Sequence, residues 1–147
     1  MKKLSIIAVF SFILTSISSF GQGEWIEEII DPDTGLRTGK IQILFEGIYE
    51  IKPNVDLRGL QLGGLNLSRA NLQGANLSDG VNLGRGNLSE ANLRGAKFGD
   101  SRFARVDFTG ADLTGADFYQ ANLQEANFSG AILNEANLFG ADLIKAN

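Results

Sequence analysis

Asparagine and aspartate recur at five-residue spacing through the carboxy-terminal part of the chain, at Asn66, Asn71, Asn76, Asn82, Asn87, Asn92, Asp107, Asp112, Asp117, Asn122, Asn127, Asn137 and Asp142. A lattice of amides and carboxylates invites two chemistries: calcium ligation, or side chains bonding each other and the backbone of neighbouring turns. The Gly-Gly-x-Gly-x-Asp loops of calcium-binding β-rolls are absent, and Asn and Asp readily bond local turn backbone. The second chemistry is therefore expected, with no metal and no cofactor. The sequence has no His and no Cys, which removes the commonest general base, thiol nucleophile and metal ligand. Ser68, Ser78, Ser89 and Ser129 fall at ordinary corner positions with no base singled out. No catalytic residue is assigned, and the chain reads as a non-enzyme.

These polar residues are set by a repeated phrase, roughly Ala-Asn/Asp-Leu/Phe-x-x. Its central residues are Leu57, Leu62, Leu67, Leu72 and Leu77, then after a six-residue step Leu83, Leu88, Leu93, Phe98, Phe103, Phe108, Leu113, Phe118, Leu123, Phe128, Leu133, Leu138 and Leu143. On an α-helix, residues five apart would be rotated by roughly 140° and the apolar positions would smear around the cylinder. On a straight strand an odd spacing would send successive centres to opposite faces. Each repeat must therefore turn a corner. The residue two before most centres is small or aliphatic, as at Ala70, Ala91 and Ala111, and Gly59, Gly74, Gly95, Gly110, Gly115, Gly130 and Gly140 lie two after a centre. An in, out, in triplet followed by a bend that favours Gly results. Four bends close a square of about twenty residues, and stacked squares pair as parallel strands about 4.8 Å apart, with the right-handed sense usual for parallel crossovers.

The runs Ala70-Asn71-Leu72-Gln73-Gly74-Ala75-Asn76-Leu77 and Ala111-Asp112-Leu113-Thr114-Gly115-Ala116-Asp117-Phe118 resemble the pentapeptide repeat family. The resemblance spans 55–147 and implies an all-β fold, a right-handed quadrilateral parallel β-helix, with little implied chemistry. Some members of the family bind DNA gyrase by imitating duplex charge and shape. An acidic DNA mimic that binds a type II topoisomerase is accordingly the alternative function. Members often dimerise through a carboxy-terminal helix, which this sequence does not show; end-to-end homo-oligomerisation through an uncapped last coil, or a longer reading frame, is the expectation at Asn147.

Residues 1–21 have the layout of a Sec-type signal peptide: Lys2 and Lys3, an apolar Leu4 to Ile17, then Ser19-Phe20-Gly21. That apolar stretch is short against the roughly 20 residues of a membrane span, so export to the periplasm or outside is expected, with no span left after cleavage and an uncleaved anchor as the alternative. Residues 22–54 differ in composition and are expected to form a β-type amino-terminal cap, since terminal units of a solenoid are atypical. Ile41, Ile43 and Phe45 share one side of a predicted strand that Ile48 to Ile51 would continue. Asp31-Pro32-Asp33-Thr34-Gly35 is a turn signal, so Glu24 to Ile30 would pair back as a hairpin, or form a short helix. Pro53 marks the joint.

The apolar stacks fill the interior, so chemistry is left to the outer surface. Charges recur one coil apart, with Arg69 against Glu90, Lys97 against Asp117, and Arg105, Glu125 and Lys145 in one column. Arg85, Arg94, Lys97, Arg102 and Arg105 cluster in sequence but are expected on several sides of a chain whose net charge is −4, which disfavours nucleic acid. Tyr119 and Phe139 occupy one outward column, with Ile144 nearby, and form the candidate protein-contact patch. An exported, non-catalytic structural or protein-binding module fits best, its partner a protein or a cell-envelope component.

Overall fold

The computed structural model of the chain describes residues 23–43 and 47–147. The leader expected over 1–21, and Phe45 in the expected strand, lie outside the described residues. Three strands come first, β1 (Gly23–Ile30), β2 (Arg37–Ile43) and β3 (Gly47–Ile51), paired antiparallel in the order β1-β2-β3. Glu24 to Ile30 is thus the first arm of a hairpin and not a helix. Its turn is fixed by Asp31, whose Oδ1 accepts the Asp33 and Thr34 N–H groups at 2.9 and 2.8 Å.

One expectation is corrected. Ile48 to Ile51 does not continue β2 but reverses and runs back along it, with Tyr49 opposite Ile41. The reversal pairs the edge of β2 that β1 leaves open and returns Ile51 to the side of Ile41, both fully buried in the common core. The sheet is stitched to the first coil by two residues. Trp25 Nε1 donates to the Asn66 carbonyl at 2.9 Å. Arg37 lies 4.4 Å over the Trp25 ring, donates through its Nη1 to the Ser68 carbonyl at 3.1 Å, and pairs its backbone in parallel with Ala70.

From the turn at Pro53 and Asn54 the chain winds in square coils. Parallel bridges join the residue before each centre to its counterpart one coil on and define four walls. The first wall carries Asp56, Asn76, Lys97, Asp117 and Asn137; the second, Gln61, Asn82, Arg102, Asn122 and Asp142; the third, Asn66, Asn87, Asp107 and Asn127; the fourth, Asn71, Asn92, Asp112 and Ile132. At most corners the N–H three residues after a centre donates back to that centre's carbonyl in a β-turn, as from Ala75 to Leu72 at 3.0 Å. The second residue after every centre has positive φ. Gly fills this place at Gly115 (φ 67°), but Arg85, Glu90, Arg105, Gln120 and Lys145 also adopt it, with φ between 52° and 62°. For an L-residue that conformation costs roughly 1–2 kcal/mol, offset at the inner coils by axial bonds on both sides and at Lys145 by bonds to the preceding coil alone.

The centres from Leu57 to Leu123 are fully buried. Phe98 and Phe118 stack on one wall at 4.4 Å, and Phe108 and Phe128 on the opposite wall at 5.0 Å. The two stacks meet edge to face across the axis, Phe98 to Phe108 at 6.0 Å and 90°. Rings in these arrangements contribute about 0.5–1.5 kcal/mol beyond their area. The single slip, between Leu77 and Leu83, is taken up at a corner where both Asp79 (φ 57°) and Gly80 (φ 92°) are left-handed. Gly80 N–H donates to Ser101 Oγ at 3.2 Å, and that hydroxyl donates to the Gly99 carbonyl. Ser101 is the buried polar exception in the inward column, and it meets the extra peptide group of the coil before it.

Two substitutions test this account. Phe108→Ala is expected to cost about 3–5 kcal/mol in denaturant unfolding. At Gly115 an added Cβ would meet no atom within 4 Å, so Gly115→Ala should cost only about 1 kcal/mol, from the left-handed backbone alone.

Candidate functional site

Where Asn or Asp stands before a centre, its side chain can be used twice. Its Oδ1 accepts the N–H two residues on, as from Ser89 to Asn87 at 2.8 Å, Thr109 to Asp107 at 2.9 Å, Gln124 to Asn122 at 3.0 Å and Phe139 to Asn137 at 3.0 Å. Its amide also reaches along the wall, with Asn137 Nδ2 donating to Asp117 Oδ1 at 2.8 Å. Contacts also run from the residue after one centre to the residue before the centre on the next coil. Arg94 meets Asp112 at 3.1 Å, and Asn127 Nδ2 donates to Thr109 Oγ1 at 2.9 Å. Among the described residues no group of three or more His, Cys, Asp or Glu is arranged to hold a metal ion, and no helix is long and apolar enough to cross a membrane.

The charge columns are realised unevenly. Arg105 grips Glu125 through two bonds, at 2.9 and 3.1 Å, and Arg69 approaches Glu90 at 3.7 Å. Lys97 and Asp117 share a backbone bridge but form no ion pair. Asp117 Oδ1 instead accepts from Asn137 Nδ2 and the Tyr119 N–H. The basic residues fall on several sides: Arg85, Arg102 and Arg105 belong to the second wall and its corner, Lys97 is on the first wall and Arg94 is paired on the fourth.

Tyr119 and Phe139 come together as expected of one column, their rings parallel within 7° and 5.9 Å apart. Phe139 is 71% exposed and Tyr119 39%. Because the rings lie over one another on successive coils, the pair does not offer two coplanar platforms of the kind a sugar chain would need. Ile144, 63% exposed, follows the centre on the second wall and lies outside this ring contact. Ile132 is exposed on the fourth wall. Open hollows mark the surface of the described residues. One of about 310 Å³ is lined by Gly84, Arg85, Ala104, Arg105, Gln124 and Glu125. Another, of about 430 Å³, lies where the sheet meets the first coils, between Tyr49, Asp56, Arg58, Gly59, Leu60 and Asp79.

The model of the family described as pentapeptide repeats matches residues 54–85, 87–124 and 121–147, in 8 copies. The chain belongs to the pentapeptide repeat family. Among solved structures, this pentapeptide repeat chain is similar to the protein Rfr23 from the cyanobacterium Cyanothece, at 26% identity and a TM-score of 0.63, over 66% of this chain and 82% of that one. It is also similar to HetL, a pentapeptide repeat protein involved in heterocyst differentiation regulation in the cyanobacterium Nostoc, at 30% identity and a TM-score of 0.52, over 64% of this chain and 54% of HetL. QnrB1, a plasmid-mediated fluoroquinolone resistance protein, aligns at 21% identity and a TM-score of 0.32, too distant to inform function. No curated protein sequence matches the chain. The fold is thus the right-handed quadrilateral β-helix of this family.

The wall carboxylates are expected to make the rod acid-sensitive. The Asp142 carboxyl is held below its ordinary value of 3.8 by the Gln124 amide and the Ile144 N–H, and Glu125 is held below 4.5 by Arg105. At Asp112 burial pushes upward, but the Thr114 hydroxyl and N–H together with Arg94 bring the carboxyl below 3.8. Depressed carboxylates contribute stability that is present above their unfolded values and is lost as pH falls through the folded ones. Urea unfolding should therefore show a flat midpoint from pH 7 to about pH 5 and a decline below about pH 4. Asp112→Asn, which keeps the acceptor for the Thr114 N–H, should be less stable at pH 7 and show a shallower acid decline.

Proposed function

We propose that this chain is an exported, non-catalytic structural or protein-binding module whose rigid rod docks a protein or another component of the cell envelope. The observation that carries the reading is the Tyr119–Phe139 pair. On walls otherwise tied up in side-chain and backbone hydrogen bonds, it places two stacked rings in solvent, one of them 71% exposed. Exposed apolar surface beside polar walls is characteristic of interaction sites, and aromatic residues are enriched at such contacts. The filled core and shallow hollows suit recognition by surface rather than turnover in a cleft. Export rests on the leader, with Lys2 and Lys3 before the apolar Leu4 to Ile17. Ile144, on the neighbouring wall, would widen the contact around the corner. The DNA-mimic alternative has less support, because Arg58, Arg69, Arg94 and Arg105 interleave with and neutralise the acidic residues.

The test compares the mature protein with Phe139→Asp in capture from envelope extract and in light scattering. The variant should unfold within about 0.5 kcal/mol of the wild type, as surface changes do, and should lose either the captured partner or self-association. Identical capture and identical mass in both proteins would remove the pair from any docking role, and retention of the full-length chain in the cytoplasm would overturn export.

A further inference from the structure

On most coils the N–H that follows a centre is capped by the Asn or Asp side chain before it. At Arg102 that acceptor is missing. The Ala104 N–H, which by register occupies the place of the capped N–H groups of Gly84 and Gln124 on the same wall, has no acceptor among the described residues. The coil therefore presents an outward donor where its neighbours above and below present a satisfied one, and a guanidinium where they present an oxygen.

The surroundings concentrate positive charge on the same spot. Gly84 and Ala104 form the floor of the 310 Å³ hollow, with Arg85 and Arg105 along its corner side. Arg102 is not part of that lining; it lies two residues before Ala104 on the same wall, bridged between Asn82 and Asn122, at the place of the missing cap. Arg105 is satisfied by Glu125. Arg85 and Arg102 are exposed and form no ion pair among the described residues, although Arg85 is near enough to Glu125 to help lower its carboxyl. Lys97 and Gly99 repeat the substitution of a cation for the acceptor on the first wall, but Gly99 abuts the Tyr119 backbone and has no arginines beside it.

We propose that this hollow binds the carboxylate of an Asp or Glu side chain from a partner protein, which supplies from outside the oxygen that Asn or Asp supplies elsewhere on the wall. One carboxylate oxygen accepts the Ala104 N–H and the other is held by Arg102, with Arg85 adding a second guanidinium. Asp107, Asp112 and Asp117 show that a carboxylate fits the equivalent place on other coils. A planar carboxylate also suits the guanidinium fork, as Arg105 and Glu125 show. A polyphosphate is disfavoured by Glu125 at the rim and by the overall charge of −4. The inference deepens the proposed function, since it rests on the rod being a protein-binding module and names one chemical feature of the partner.

The test uses the full mature protein with ¹⁵N labelling, titrated with an acetylated tetraglutamate peptide and, separately, with tripolyphosphate. Tetraglutamate should shift the Ala104 amide saturably. Arg102→Asn restores the repeat's own acceptor, so it should fold, and it should weaken that binding by at least about tenfold, the scale of a charge-assisted hydrogen bond. Absence of a saturable Ala104 shift, or equal affinity in Arg102→Asn, overturns the site. Tighter binding of tripolyphosphate than of tetraglutamate overturns the carboxylate assignment. These outcomes are separate from the Phe139→Asp comparison, which reads the aromatic pair and leaves the hollow intact.

Discussion

The rod depends on axial pairing between coils. Each side of the square contributes one short bridge to the coil above and one to the coil below, supplemented by the corner N–H bonding to the corner carbonyl of the next turn, as Gly74 does to Arg94 at 2.8 Å. No single wall has strands long enough to stand alone. The four walls therefore form together or not at all, and the apolar column forms with them. This cooperativity lets the fold carry left-handed arginines and glutamates at its corners, each costly in isolation.

The same constraint explains why the polar lattice is structural over most of the surface. An outward-facing turn N–H needs an acceptor, and Asn or Asp before the centre supplies one at the right reach. The lattice becomes informative where it is interrupted. Ile132 removes the acceptor and leaves an exposed aliphatic residue, Lys97 and Arg102 replace it with a cation, and Ser101 brings a hydroxyl inside to meet the inserted Gly80. The aromatic pair on the first wall and the hollow on the second lie in the coils near these interruptions.

At the amino-terminal end the ladder needs a different solution, because the first coil would present unpaired backbone. Arg37 answers this with its backbone and its side chain together, pairing with Ala70 while its guanidinium lies between the Trp25 ring and Ser68. The three-stranded sheet is thus fastened at one corner and contributes Ile41 and Ile51 to the core.

Much of this was legible in the residues. The period of five, the apolar centres and the small inward partners are local properties of the chain, and they dictate corners, a filled column and the location of the slip. The hairpin at Asp31 and the vertical Arg105–Glu125 pair follow from turn chemistry and from counting one coil. Tertiary structure alone decided how outward side chains lean. Contacts such as Arg94 with Asp112 and Asn127 with Thr109 join residues eighteen apart rather than a full coil, because the residue after one centre meets the residue before the next. Asp117 bonds Asn137 and the Tyr119 N–H, and Lys97 does not pair with it. The reversal of β3 and the gathering of Arg85 and Arg105 at one hollow, with Arg102 on the same wall, likewise depend on neighbours distant in sequence. Inward positions are set by burial, which each repeat announces for itself; outward positions are set by which neighbours compete for each hydrogen bond, and only the folded walls bring those neighbours together.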